Sequence, residues 1–257
     1  MKKVLTKIIS KLFKRPRTFS IEIYRVLISV LYKVFKTNYE LVVHAGKTNY
    51  SHYGYCILES VKLAKTLNYN KISVIEFGVA GGNGLMAIEN HINKIKKEFD
   101  IEIEVYGFDL ESGLPKSDDY RDLLYKFQGG FFKMDKTTLK NKLEFSQLII
   151  GDVSDTCDSF FDKFSPAPIG CIFFDLDYYS STKNAFKILN KPSKNYLPRV
   201  QCFFDDIEHT DEFVGELLAI SEFNNENNYR KISHPYILEK TYPFILASRI
   251  FVFHDYN

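Results

Sequence analysis

The stretch KISVIEFGVAGGNG, residues 71–84, sets a short apolar run directly against four glycines within seven positions. Ile72, Val74, Ile75 and Phe77 are β-branched or aromatic and lie almost without interruption, the pattern of a strand covered on both faces. Behind the glycines, LMAIENHINKIKKEF (85–99) repeats its apolar residues at helical spacing. A buried strand, a glycine turn and a helix make one unit of a parallel sheet.

The unit recurs along the chain. Upstream, YGYCILESVKLAKTL (53–67) reads as a helix; downstream, IEVYGFDL (103–110), SQLIIGDV (146–153), IGCIFFDLD (169–177) and RVQCFFDDI (199–207) read as strands. The segments KTTLKNKLEF (136–145), TCDSFFDKF (156–164), STKNAFKIL (181–189) and DEFVGELLAISEF (211–223) read as helices between and after them. Near the end, YRKISHPYIL (229–238) and SRIFVFHDY (248–256) are two strands with no helical pattern between them, which predicts an antiparallel hairpin at the sheet edge. The expected class is α/β, a Rossmann-like, mostly parallel sheet with helices on both faces.

In such sheets ligands bind beyond the carboxyl ends of the strands. Glu76, Asp109, Asp152, the pair Asp175 and Asp177, and the pair Asp205 and Asp206 all fall there, so five successive strands deliver acid to one rim. A lone Asp at such a turn is commonly a helix N-cap; five together point to a site. The glycine turn lets a ligand approach backbone N–H groups at a helix start. No Lys-Ser/Thr follows it and it does not fit GxGxxG in register, which disfavours nucleoside triphosphates and dinucleotides. Glu76 before the turn suits a cationic ligand.

Charge is unevenly spread. The chain is +2 overall, but residues 1–36 hold ten Lys or Arg against the single acid Glu22, leaving the remainder net acidic. In MKKVLTKIISKLF (1–13) apolar residues take one helical face and lysines the other, a cationic amphipathic helix. Residues 1–49 are therefore read as a basic helical extension and residues 50–257 as the main domain. Packing on the domain or on a second copy in a homo-oligomer, and peripheral attachment to an anionic membrane face, both suit the extension. Nucleic acid is not an expected partner, because the main domain is acidic. FSIEIYRVLISVLYKVF (19–35) is interrupted by Glu22, Arg25 and Lys33, so its charge-free runs fall far short of the roughly 20 residues of a membrane span. No signal-peptide core follows Lys2 and Lys3, and the four cysteines show no CxxC spacing. The expected location is the cytoplasm, with the inner membrane face as a peripheral alternative.

VIEFGVAGG (74–82), VYGFDLESGLP (105–115), LIIGDVSDT (148–156), FFDLDYYSST (173–182) and FFDDIEH (203–209), in this order, resemble the macrocin O-methyltransferase-like family of class I S-adenosylmethionine (SAM)-dependent methyltransferases. The resemblance runs from about residue 50 to the C-terminus. It implies a seven-stranded sheet with a terminal antiparallel strand, SAM as methyl donor, a divalent cation, usually Mg2+, and a sugar or glycan-like hydroxyl as acceptor. Glu76, Gly78, Val79 and Gly82 would then lie beside the methionine part of the donor, Asp109 on its ribose, and Asp152 with Val153 beside adenine. Asp175, Asp205 and Asp206 would hold the cation, while Asp175 and Asp177 would share catalysis, Asp177 as a further ligand or as proton acceptor. Leu176 stands where the family commonly has Gly, and KNYLPRVQ (194–201) replaces a Gly-rich turn. Ile207 replaces a Tyr after the paired acids, which makes His209 a candidate base or acceptor ligand, against a solvated first-turn histidine. His44 and His52 precede the first strand, where the family's N-terminal segment can close over the donor, against a surface role, which is the favoured reading for both. KSDDYRDLLYKFQGGFF (116–132) is a candidate lid with Gly129 and Gly130 as hinge, with an ordinary loop as the near-equal alternative. The competing readings are a nicotinamide-dependent sugar oxidoreductase or epimerase and a SAM-binding scaffold without catalysis.

Overall fold

A computed structural model describes residues 39–257 apart from 210, 237 and 243–244. The amphipathic segment 1–13 and the apolar segment 19–35 lie outside the described residues. Seven strands form one sheet: β1 (Lys71–Phe77), β2 (Glu102–Asp109), β3 (Gln147–Ile150), β4 (Ile169–Phe174), β5 (Tyr196–Phe204), β6 (Arg230–Ser233) and β7 (Ile250–Asp255). Their order is β3-β2-β1-β4-β5-β7-β6, with β1 to β5 paired in parallel and β7 antiparallel to both its neighbours.

The alternation of side chains along each strand divides the core in two. In β4, Cys171 and Phe173 face one layer with Cys56, Ile57, Val61, Leu85 and Ile88. Ile172 and Phe174 face the other, with Cys157, Phe160, Phe186, Ala219 and Phe223. The first layer is supplied by α2 (Ser51–Thr66) and α3 (Asn83–Ile95), the second by α5 (Val153–Phe164), α6 (Tyr179–Ala185) and α7 (Gly215–Glu226). Both faces are covered, which explains why β4 is buried along its whole length. All four cysteines are free and buried in these layers.

Three elements depart from the sequence reading. The helix expected over 136–145 is the short α4 (Lys136–Lys140), capped by Asp135, whose carboxylate accepts from Thr138 N–H at 3.0 Å. The helix expected over 181–189 is α-helical only to Ala185 and continues as a 3-10 turn, Phe186–Asn190. The terminal strands do pair antiparallel, with β6 at the edge, but a short helix α8 (Leu238–Thr241) lies between them and β7 inserts beside β5. That insertion matters for the site, because it returns the chain to the carboxyl-end rim just before Ile250, the partner of Phe203.

The described end of the extension packs on the domain. Helix α1 (Tyr39–His44) buries Val43 completely, and the Tyr39 hydroxyl bonds to His91 Nδ1 of α3. His44 lies against the rings of Tyr55 and Tyr242. Among the described residues, no helix is long and apolar enough to cross a membrane.

Candidate active site

At the carboxyl ends of β1, β2, β4 and β5 the structure opens a cavity of about 560 Å3. Its walls include Gly78, Asp109, Asp152, Val153, Asp175, Asp177, Asp205 and Asp206, so eight of the residues singled out from sequence meet around one space. Glu76, Val79 and Gly82 do not line it.

The glycine turn is shaped by its neighbours. Gly78 has φ +82°, and a Cβ there would lie 1.7 Å from the Asp175 carbonyl oxygen. Only glycine allows β1 and β4 to end so close together. Asp109 fastens the same turn: its Oδ2 accepts from Val79 N–H and Ala80 N–H, each at 2.9 Å, and its Oδ1 accepts from Glu111 N–H at 2.6 Å. Val79 thus contributes its amide to the turn and its side chain to the core. Gly82 rests on Leu139, which a Cβ would approach to 2.1 Å. Glu76 turns inward, accepting from the Tyr53 hydroxyl at 3.1 Å, and burial pushes its carboxyl up to about 8. Asp152 caps α5, its Oδ1 accepting from Ser154 N–H at 2.8 Å.

The opposite wall concentrates negative charge. Burial raises the Asp175 carboxyl well above the ordinary range, and Asp205, Asp206, Glu76 and Asp177 add to it in that order. Asp177, held at φ +59°, is pushed up to about 7 by burial and by Asp206, to which it is hydrogen-bonded, with Lys126 opposing. Asp206 N–H donates to Glu216 Oε2 at 3.0 Å. Asp205 is held from the other side: Arg249 Nη1 donates to its carbonyl oxygen at 2.6 Å and to Oδ1 at 2.9 Å. Asp205 opens the 3-10 turn Asp205–His209; the side chain of His209 lies outside the described residues. His52 stacks on Phe203 at 4.5 Å between centroids, and burial lowers its imidazole to about 3.

Sequence reasoning missed Glu216, Arg249 and Asp122. Glu216 is fully buried, a sixth acid at the cluster, and reads in sequence as an ordinary first-turn helix acid. Arg249 stands 44 residues from Asp205 and carries no local signal; the reversal of β7 brings them together. Asp122 is fully buried inside the segment read as a lid.

No family model matches this sequence, and comparison with curated proteins finds no relative. Solved structures do match. CalS11, a calicheamicin methyltransferase, superposes with a TM-score of 0.52 at 21% identity over 80% of this chain and 86% of its own. The O-methyltransferase NovP gives 0.54 at 16% identity over 91% and 98%. The fold is that of the Rossmann-like methyltransferases. At these identities the likeness speaks for the fold.

The lining of the cavity suits the SAM expected from the sequence resemblance. Phe108, Leu110, Leu114, Phe127 and Val153 offer apolar walls to a base, Asp109 and Asp152 lie alongside, and the acids beyond favour a cationic sulfonium. The residues also fit a divalent cation by donor chemistry: Asp175, Asp205 and Asp206 are hard oxygen donors on one wall whose mutual repulsion calls for positive charge. Their side chains are not drawn tightly together. Among the described residues, the group of three whose potential ligand atoms lie within 4.8 Å of one another is Glu40, His44 and Glu59, and there Lys62 already bridges both acids.

Proposed function

We propose that the protein is a SAM-dependent O-methyltransferase acting on a hydroxyl of a sugar or glycan-like acceptor, assisted by a divalent cation such as Mg2+ at Asp175, Asp205 and Asp206. The observation that carries this reading is one cavity lined on one side by Gly78, Asp109, Asp152 and Val153 and on the other by Asp175, Asp177, Asp205 and Asp206. A donor and an acceptor need such adjacent walls.

SAM supplies an electrophilic methyl group when bound, and the cation supplies positive charge that makes a hydroxyl more acidic. The remaining work falls to the chain. Asp177 is the proton acceptor: it lines the cavity two residues beyond Asp175 and is hydrogen-bonded to Asp206, which places a carboxylate beside the acceptor wall. With donor and acceptor bound, an Asp177 oxygen would hold the acceptor hydroxyl by a hydrogen bond and take its proton as that oxygen is methylated. Gly78 and the Asp109-fastened turn fix the donor wall, and the close approach of Gly78 to Asp175 sets its distance from the acids. Alignment at near-attack distance, roughly 3 Å, is the main service such a scaffold gives.

Calorimetric titration with SAM and with NAD tests the donor, since a nicotinamide-dependent enzyme on a similar sheet would take the second. Heat with NAD and none with SAM would overturn the assignment. Incubation with sugar acceptors, SAM and Mg2+, read by mass spectrometry for one added methyl, tests the reaction; donor binding with no transfer to any acceptor would leave the scaffold reading.

A further inference from the structure

Arg249 occupies a position that neither donor binding nor proton transfer requires. It ends the 3-10 turn Ala247–Arg249, immediately before β7, with its side chain largely buried at 14% exposure. Ile250 pairs with Phe203, two residues before Asp205, so the antiparallel register delivers Arg249 to the acid rim from the sheet's far side. One nitrogen, Nη1, serves two acceptors there, the Asp205 carbonyl oxygen at 2.6 Å and the Asp205 Oδ1 at 2.9 Å.

The two contacts are not equivalent. The carbonyl belongs to the backbone at the end of β5 and stays in place whichever way the side chain turns. The carboxylate of Asp205 is 41% exposed and can rotate about its own bonds. A cation drawing Asp205 toward Asp175 and Asp206 would take it from Arg249, while the guanidinium remained tethered to the carbonyl. A permanent positive charge would thus persist beside a second one. Arginine cannot relieve this by losing its proton.

We propose that Arg249 is a built-in competitor for Asp205, lowering the cation affinity of the acid cluster so that its cation is exchangeable. This rests on the cation reading above, with Asp205 as one of the ligands. The resident charge also offsets the repulsion among Asp175, Asp177, Asp205 and Asp206 when no other positive charge is near. Arg249 is therefore a positioning residue for Asp205, and its removal strengthens a function of the site.

The test is titration of the full chain, saturated with SAM, with Mn2+ as spectroscopic probe, free ion being read by electron paramagnetic resonance. Arg249→Gln keeps a donor for the Asp205 carbonyl and removes the charge, and it binds Mn2+ roughly tenfold tighter than wild type, the effect of one unit charge a few ångströms from the ion in a partly screened setting. Arg249→Lys keeps the charge and stays within about twofold of wild type. SAM affinity measured by calorimetry verifies folding, and Arg249→Met replaces the Gln variant if that one does not bind SAM. Equal or weaker Mn2+ binding by the neutral variants, with wild type binding the ion, overturns the role of Arg249 alone. Failure of wild type and neutral variants alike to bind Mn2+ overturns the cation reading and this inference with it.

Discussion

The buried carboxylate of Asp122 accepts from both the backbone N–H and the hydroxyl of Ser180, each at 2.8 Å, and from the Ser117 hydroxyl at 2.5 Å. The segment 116–132, a candidate lid or an ordinary loop by its sequence, is thereby fixed to the start of α6, three residues beyond Asp177. Its base is closed as well: Leu114 N–H donates to the Phe131 carbonyl, and Gly130 N–H to the Leu114 carbonyl, both at 2.8 Å. Leu123, Phe127 and Tyr178 form a small core beneath it. As the structure stands, the loop is a wall carrying Lys126, Phe127 and Phe132 into the cavity.

Asp122→Ala leaves the Ser180 N–H and two half-buried hydroxyl groups without their acceptor and loosens that wall. The expected cost is about 2–4 kcal/mol of stability, seen as a lower denaturant midpoint. Acceptor KM rises more than SAM affinity falls, a split that plain destabilisation would not produce. Unchanged acceptor KM in a folded variant would refute the wall.

Gly78→Ala places a methyl group against the Asp175 carbonyl, in a backbone region that alanine avoids. The expected destabilisation is about 3 kcal/mol or more, with SAM binding lost even where folding survives. Circular dichroism melts and calorimetry read the two effects. A variant with wild-type melting would show that β1 and β4 are not so closely apposed.

Stability should fall as pH rises through the neutral range, because buried carboxyl groups must then lose their protons. Glu76 and Asp177 titrate near 8 and 7 in the fold, so between about pH 4.5 and 8 the folded chain holds protons that the unfolded chain has released. Their contribution is fully present only below the ordinary carboxyl range and declines as pH rises. The buried His44 and His91, lowered to about 4, and the half-buried His52, lowered to about 3, act in reverse below pH 6.5, where the unfolded chain takes up protons first. Above pH 6.5 the histidines drop out and the raised acids, joined towards pH 8.5 by the buried thiols of Cys157, Cys171 and Cys202, set the slope, so melting temperature without divalent ions declines from pH 6.5 to 8.5. Mg2+ restores part of it at pH 8. Scanning fluorimetry across this range checks both, and a flat profile would contradict the burial of these acids.

Alanine at Asp175, Asp205 or Asp206 should lower methyl transfer at least about 100-fold while leaving SAM affinity within a few fold. Chelation of divalent ions should reproduce the loss in wild type. Asp177→Asn should also abolish transfer, and added Mg2+ should not rescue it, because the missing group is the proton acceptor. Retained turnover in Asp177→Asn would move that role elsewhere.

The amino-acid sequence alone determined the alternation of strands and helices, the glycine turn after β1 and the run of acids at successive strand ends, since each is written in neighbouring residues whose spacing follows from strand and helix periodicity. Local pattern was weaker where packing decides an element's length: α4 stops after five residues, and the segment 181–189 tightens into a 3-10 turn. What only the tertiary structure decided is how the acids are balanced. The inward turn of Glu76 onto Tyr53, the buried Glu216 behind Asp206, the clamp of Asp122 on Ser180 and the contact of Arg249 with Asp205 join residues far apart in the chain. These partners become neighbours only when sheet and helices have assembled, and Arg249 meets Asp205 only because β7 is reversed between β5 and β6; packing and strand register, and no local spacing, set which side chains meet at the rim.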